Sequence, residues 1–315
     1  MAESAFSSIT FFKRWGTILG FMLLFLFFSI MRPDVFPGWK NLRNVVEQIA
    51  TLAIVSAGVT CVMVTGDFDL SVGSLASLVG IVTALLMKGG NGVFISILLG
   101  LAMGTSCGLL NGILVAYGGI SAFVATLATM TAFGGLSLLV SNGVTIFDLP
   151  ESFQWIGQSS LGPIPTPVFL MIFVIFSVWV TLEQITYGRR LYAIGGNPEA
   201  AFLSGINTRL CRFAAFGISG FTAAAGGIVL TSRLFSAHPQ AGNPFMLNAA
   251  AAVFLGMTVY REGEAHISGT LLGVLIMGVL GNGLNIMGVN TYVQSILTGV
   301  IIVLAVLMSS LSKKH

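Results

Sequence analysis

Charge is what this sequence has least of: Asp, Glu, Lys and Arg together make up 8% of its 315 residues. A soluble domain covers itself with about a quarter of such residues, so no water-facing surface can be assembled from this chain. Cysteine is scarce too. Cys61, Cys107 and Cys211 lie in apolar stretches without metal-ligand spacing, and an odd number argues against a disulfide framework. No G-x-x-x-x-G-K-[ST] phosphate loop, H-E-x-x-H or C-x-x-C occurs, so the chain has no P-loop of its own for a nucleotide and no recognisable zinc site. Gly217-Ile218-Ser219-Gly220 stops short of a G-x-S-x-G nucleophile elbow, and His238 and His266 stand alone. A serine paired with a distant His238 is the hydrolase alternative, but no compact catalytic or metal site is legible. The net charge of +3 is scattered over loop ends rather than gathered in a patch, which argues against a nucleic-acid partner.

Abundance lies elsewhere. Hydrophobic residues make up 55% of the chain, and the mean hydropathy is +0.95. Such a chain has membrane lipid as its surroundings, and it is expected to be an all-α, polytopic integral membrane protein. Runs of spanning length fall at 15–31, 44–65, 71–88, 92–117, 121–141, 166–184, 210–231, 246–260, 267–286 and 291–309, about ten in all. With both termini cytosolic, Lys13, Arg14, Arg189, Arg190, Arg209, Arg212, Arg261, Lys313 and Lys314 lie inside, and fewer cations lie outside: Arg32, Lys40, Arg43, Lys88 and Arg233. That excess inside is the ordinary orientation signal. Phe21 to Ile30 behind Lys13 and Arg14 has the look of a signal-peptide core, but Arg32-Pro33-Asp34 offers no small-residue cleavage site, so it is read as the first span.

Three polar interruptions stand out. Residues 142–165 carry Asp148, Glu151 and Trp155 with no Lys or Arg, an external loop in which Phe153 and Trp155 are expected at the membrane interface or at a partner. Gly66-Asp67-Phe68-Asp69-Leu70-Ser71-Val72-Gly73-Ser74 places two carboxylates in a glycine-rich break. Asp69 or Ser71 would cap the next helix, or the carboxylates would hold a proton or sodium ion in an ion-coupled secondary transporter. Residues 187–206 form a polar island with a short helix that Arg189 and Arg190 precede and Arg209 and Arg212 follow. There Asn197 is an N-cap, Pro198 a first helical residue and Glu199 a charge suited to the helix dipole, and Gly205 is a stop. The predicted short helix has Ala200, Ala201 and Phe202 on its outer face and lies in the cytosol. It is either a passive connector or a docking point. Gly100, Gly104 and Gly108, four apart, are read as helix-packing positions. The partial echo of Ser71–Ser74 in Ser268-Gly269-Thr270 and of Asn111-Gly112 in Asn282-Gly283 hints at a duplication, although the spacings differ.

Taken in order, four motifs cover nearly the whole chain: Gly66 to Ser74, Gly188-Arg189 through Gly205-Ile206, Ser236-Ala237-His238-Pro239-Gln240-Ala241-Gly242, and Asn282-Gly283-Leu284-Asn285 through Gly288-Val289. Together they resemble the permease subunit of ribose-type, binding-protein-dependent ABC sugar importers. The resemblance implies a single transmembrane permease domain over 1–315, multi-pass in a bacterial cell inner membrane, moving a pentose or similar small sugar. It also implies a second permease copy in a homodimer or heterodimer, a periplasmic sugar-binding protein, and a cytosolic ATP-binding subunit that holds ATP and Mg, so that this chain binds no cofactor and is not an enzyme. In that family a cytosolic helix fits a cleft of the ATPase. Carried over, Gly188, Arg189, Gly195, Gly196, Asn197, Glu199, Ala200, Ala201 and Gly205 would be coupling residues.

Departures accompany the match. Met246 and Asn248 stand where such permeases usually have acids, and Gly256-Met257 with Tyr260-Arg261-Glu262-Gly263-Glu264-Ala265-His266 replaces a glycine-rich stretch. A path for a hydroxylated solute needs sparse polar groups and aromatic faces. Asp69, Ser71, Phe245, Asn248, Asn282 and Asn285 are its candidates, each with interhelical hydrogen bonding or packing as the plainer role. A nucleoside or a sugar-like signal molecule is the alternative cargo.

Overall fold

Long apolar runs without water to satisfy their backbone groups can only be helical. A computed structural model describes residues 2–259 and 263–312, the side chains of 2–15, 305–306 and 308–312 excepted. The side chains of Lys13 and Arg14, the charges Arg261, Lys313 and Lys314, and the Tyr260-Arg261-Glu262 part of the divergent loop lie outside the described residues. In chain order the helices are α1 (Ala2–Met31), α2 (Trp39–Val64), α3 (Val72–Lys88), α4 (Val93–Gly112), α5 (Ala122–Ser141), α6 (Gln154–Gly157), α7 (Thr166–Trp179), α8 (Thr186–Gly196), α9 (Pro198–Leu203), α10 (Thr208–Leu234), α11 (Asn243–Gly256), α12 (Ile267–Ile286) and α13 (Thr291–Ser312). Helices α4 and α7 run on into wider π turns, Ile113–Tyr117 and Val180–Gln184, which the sequence reading did not anticipate. A two-stranded antiparallel hairpin, β1 (Ser160–Leu161) and β2 (Ile164–Pro165), pairs Ser160 with Pro165 and Leu161 with Ile164.

Among the described residues, six runs are long and apolar enough to cross a membrane: Trp39–Val64, Val93–Tyr117, Ala122–Ser141, Thr166–Gln184, Thr208–Leu234 and Ile267–Ile286. Gly16–Met31, Val72–Lys88, Asn243–Gly256 and Thr291–Leu304 are shorter apolar helices. Helix ends depart from the apolar windows in both directions. Helix α2 starts at Trp39 rather than near 44, because a nucleated helix extends readily through Lys40 and Arg43, both good helix formers. Helix α11 starts at Asn243 with Pro244 in its first turn, where the missing N–H is harmless, and ends at Gly256 rather than near 260.

The chain forms two compact units, residues 50–246 and residues 1–49 with 247–315. The first is assembled on α10, whose small residues let neighbours approach to backbone contact. A Cβ on Gly108 would collide with Phe216 O and with Gly220, one on Gly104 with the Ala224 methyl, and one on Gly227 with the Ala76 backbone. The four-residue glycine spacing in α4 is thus a packing seam against α10, as expected from the sequence. Close backbone approach is the attraction available between helices in lipid, where burial from water contributes nothing.

Residues 142–165 are held against the C-terminal end of α10. Ile146 and Ala237 exchange backbone hydrogen bonds, the Ser232 hydroxyl donates to Phe153 O, and Gln158 Nε2 donates to Arg233 O at 3.1 Å. Phe153 is completely buried, which corrects the expectation of an interfacial ring: the hydrogen bond to its own carbonyl draws the backbone inward and the side chain follows. Trp155 is exposed.

In the other unit, α1 packs on α12 with the Phe28 ring over Gly283, where any Cβ would strike it. The amides of Asn41 and Asn282 bond reciprocally at 3.0 and 3.1 Å, and Arg32 Nη1 caps α12 by donating to Ile286 O at 2.9 Å. Gly256 meets the backbone of Gly269, and Gly273 that of Ala252.

Candidate functional site

The polar island resolves into α8 and α9, two helices meeting at Asn197. Helix α8 is amphipathic by its own spacing: Gly188, Leu191 and Ile194 are buried, while Arg189 and Arg190 are exposed. Two of its glycines are close-approach positions. A Cβ on Gly188 would strike the Leu182 backbone, and one on Gly195 the carbonyl of Val64 at the end of α2. Gly196 meets nothing. Arg189 Nη2 donates to Thr186 Oγ1 at 2.9 Å, and Tyr187 Oη donates to Cys211 O at 2.9 Å, tying α8 to the first turns of α10. Burial pushes the Tyr187 phenol far up, so it stays a donor throughout the working pH range.

Helix α9 starts as its sequence dictates. Asn197 Oδ1 accepts from the N–H groups of Glu199 and Ala200, both at 3.0 Å. Gly205, at φ +81°, then ends the helix in the left-handed conformation that side chains resist. Glu199, Ala200, Phe202 and Leu203 are exposed. Ala201 is only 4% exposed, a correction to the expected outer face. On a helix of this length one position in each turn must face its support, and here that position is Ala201. The solvent-facing apolar groups are instead Phe202, 66% exposed, and Leu203, 78% exposed.

Beside α8, near its contact with Val64, the chain turns at Gly66, where φ is +83°. Asp67 then meets Arg212 in a two-point ion pair, Nε to Oδ2 at 2.7 Å and Nη2 to Oδ1 at 2.6 Å, with the Thr65 hydroxyl donating to Oδ2 at 3.1 Å. Arg212, counted from sequence as a plain loop cation, is thus a structural partner, and the two carboxylates of the motif are not a pair. Asp69 has its own shell: Oδ1 accepts from Ser71 N at 3.0 Å and Ser71 Oγ at 2.6 Å, and Oδ2 accepts from Ser219 Oγ at 2.7 Å. Asn111 Nδ2 adds a bond to Ser71 Oγ at 2.8 Å. Burial pushes the Asp69 carboxyl above the ordinary carboxylate range, against the pull of these hydrogen bonds. Asp69 fixes the entry of α3 from two residues before Ser71, whose own side chain makes no cap.

The remaining path candidates lie on α11 and α12. Phe245 and Asn248 are half-buried near the start of α11. Asn282 is consumed by Asn41, and exposed Asn285 accepts from Gln294 Nε2 at 2.8 Å. Sequence reasoning missed the Asp67–Arg212 pair. A buried carboxylate needs either a cation or a shell of donors, and the sequence says neither which of the two each Asp finds nor which of several arginines folding supplies.

Residues 41–306 match the family described as the branched-chain amino acid transport system permease component. The chain belongs to this permease family. Among individual relatives, the permease is 39% identical over 298 residues to the ribose import permease protein RbsC of Bacillus subtilis (strain 168), covering 94% of this chain and 92% of that one. It is 37% identical over 308 residues to RbsC of Escherichia coli (strain K12), at 95% and 96% coverage. It is also 32% identical over 313 residues to the D-allose transport system permease protein AlsC of the same strain, at 99% and 96% coverage. No solved structure matches the permease. The permease is therefore a multi-pass membrane transport subunit and not an enzyme.

Proposed function

We propose that this permease conducts a small neutral sugar, a pentose or a close analogue, inward across the bacterial inner membrane, driven by ATP hydrolysed on a separate cytosolic subunit. The observation that carries the reading is the near full-length similarity to two ribose permeases and an allose permease, where the family description alone would suggest an amino acid. The chain acts as one permease domain of ten spans with both termini in the cytosol. The six long and four shorter apolar helices support that count. ATP and Mg sit on the partner, a periplasmic binding protein delivers the sugar to the side of residues 142–165, and a second permease copy completes the pathway.

Residues 187–206 form the coupling loop. The exposed Phe202 and Leu203 beside Ala200 and Glu199 suit the cleft of a soluble subunit, since two large apolar side chains on a six-residue helix are otherwise costly to leave in water. Asn197, Gly188, Gly195 and Gly205 shape the loop, Ala201 seats it, and Arg189 and Gly196 lie at its rim. Purified from native membranes in a mild detergent, the chain is expected to bring a stoichiometric ATP-binding subunit, and its vesicles to take up ribose on addition of ATP. Phe202→Asp with Leu203→Asp should release that subunit and stop uptake while the permease stays inserted. Retention of both subunit and uptake by the double variant, or uptake of a branched-chain amino acid in place of sugar, would overturn the reading.

A further inference from the structure

One cleft within residues 50–246 has no part in the docking geometry. It measures about 300 Å³ and lies among α3, α5 and the start of α11, with Ser74, Thr131 and Asn243 as its polar lining and Met130 and Met246 as its apolar walls. We propose that this cleft is a binding site for a neutral polyhydroxyl solute in transit, an inference that rests on the sugar-import reading.

Four features argue for it. No titratable side chain lines the cleft, so nothing in it would answer the carboxylate or ammonium of an amino acid. Its hydrogen-bonding groups suit hydroxyls. The Ser74 and Thr131 hydroxyls already donate, to Ser71 O at 3.0 Å and Leu127 O at 3.1 Å, and so present acceptor lone pairs, while the Asn243 amide offers both roles. The volume falls at the lower end of small-ligand pockets, about 300–1,000 Å³.

The fourth feature is the pair Gly134-Gly135 in the middle of α5. Each glycine costs a helix interior roughly 0.5–1 kcal/mol relative to Ala. At other helical glycines of this unit, such as Gly104 and Gly108, that cost is explained by close contact with a neighbouring helix. Here a Cβ on Gly135 would meet nothing within 4 Å, and one on Gly134 only the Ser74 Cβ at 3.9 Å, and neither residue has positive φ. Neither packing within the unit nor backbone conformation calls for glycine; the two residues keep the cleft open. Its far wall is rigid. Gly242 N donates to Ser77 Oγ at 2.9 Å, Ser137 Oγ donates to Pro239 O at 2.9 Å, and Gly73 lies against Gly242 O, which fixes the segment that carries Asn243. The sequence reading placed the solute near Phe245 and Asn248; Asn243 and Met246 are the residues of that stretch that line the cleft.

The test is uptake of radiolabelled ribose and allose into membrane vesicles containing the assembled transporter, with Gly135→Ala, Gly135→Val, Gly135→Leu and Asn243→Ala. Uptake is expected to fall in the order of side-chain size, to about a tenth or less at Leu, and more steeply for the hexose than for the pentose. The amount of ATP-binding subunit that co-purifies with each variant should stay within about twofold of the parent, which separates a blocked cleft from a transporter that fails to assemble. Gly135→Ala keeps the series interpretable, because its methyl enters open space in a helix that Ala favours. A size series without effect, or equal losses for the two sugars, would overturn the cleft assignment alone. A parent transporter that imports neither sugar would overturn the sugar-import reading and the cleft with it.

Discussion

At the scale of single residues, the two carboxylates of the Gly66–Ser74 segment are each answered, Asp67 by a guanidinium and Asp69 by hydroxyls and a backbone N–H. Asp67 and Arg212 are 145 positions apart and meet with two hydrogen bonds in a partly buried setting, a geometry suited to the guanidinium fork. Removing one partner leaves the other charge partly buried and unpaired. Asp67→Ala and Arg212→Ala should each destabilise the protein by roughly 1–3 kcal/mol, read as loss of monodisperse protein on heating in detergent. The exchange Asp67→Arg with Arg212→Asp should recover part of that loss, and an exchange as damaging as the sum of the singles would show that the pair is not coupled. Sequence revealed the neighbouring cap at Asn197 in full, because a cap is a matter of three consecutive residues. It did not reveal the ion pair or the reciprocal amides of Asn41 and Asn282, because each needs a partner that only the folded chain brings close.

At the scale of elements, glycine has two opposite uses. In α4 the stripe Gly104, Gly108 and Gly112 removes side chains so that α10 can approach, with Gly100 of the same stripe meeting Thr83 of α3, and the stripe was legible because its period matches one helix face. In α5, Gly134 and Gly135 are adjacent and do not share that period, so nothing in the sequence separated them from ordinary packing residues. Gly108→Ala should lower the stability of the permease by about 1–3 kcal/mol, since the new methyl meets backbone that cannot give way. Gly135→Ala, the same chemical change, should leave stability unchanged or slightly raised. Thermal denaturation of the two variants side by side checks this, and similar losses in both would refute the distinction. The inner face of α9 shows the limit of local reading in another way. Capping located the helix, but the facing of Ala201 depends on what supports it.

At the scale of the whole molecule, the apolar runs announced the all-α membrane architecture, because few other patterns tolerate so little charge. Orientation is testable through single cysteines introduced at two exposed acids after replacement of Cys61, Cys107 and Cys211. A cysteine at Glu199 should react with an impermeant maleimide only in inverted vesicles, and one at Glu151 only in intact spheroplasts; labelling of both from one side would contradict the ten-span topology. Helix α10 joins those two regions without interruption. It holds 27 residues, no proline, and glycines engaged in contacts rather than left slack, which makes it about 40 Å long. Its first turns are fastened to α8 through Tyr187, and its last to Phe153 and Gln158. Such a rod behaves as a lever without a joint. With no proline or slack glycine at which to kink, a displacement of its first turns would be carried to its last, which makes the posture of α8 and that of residues 153–158 two readings of a single coordinate.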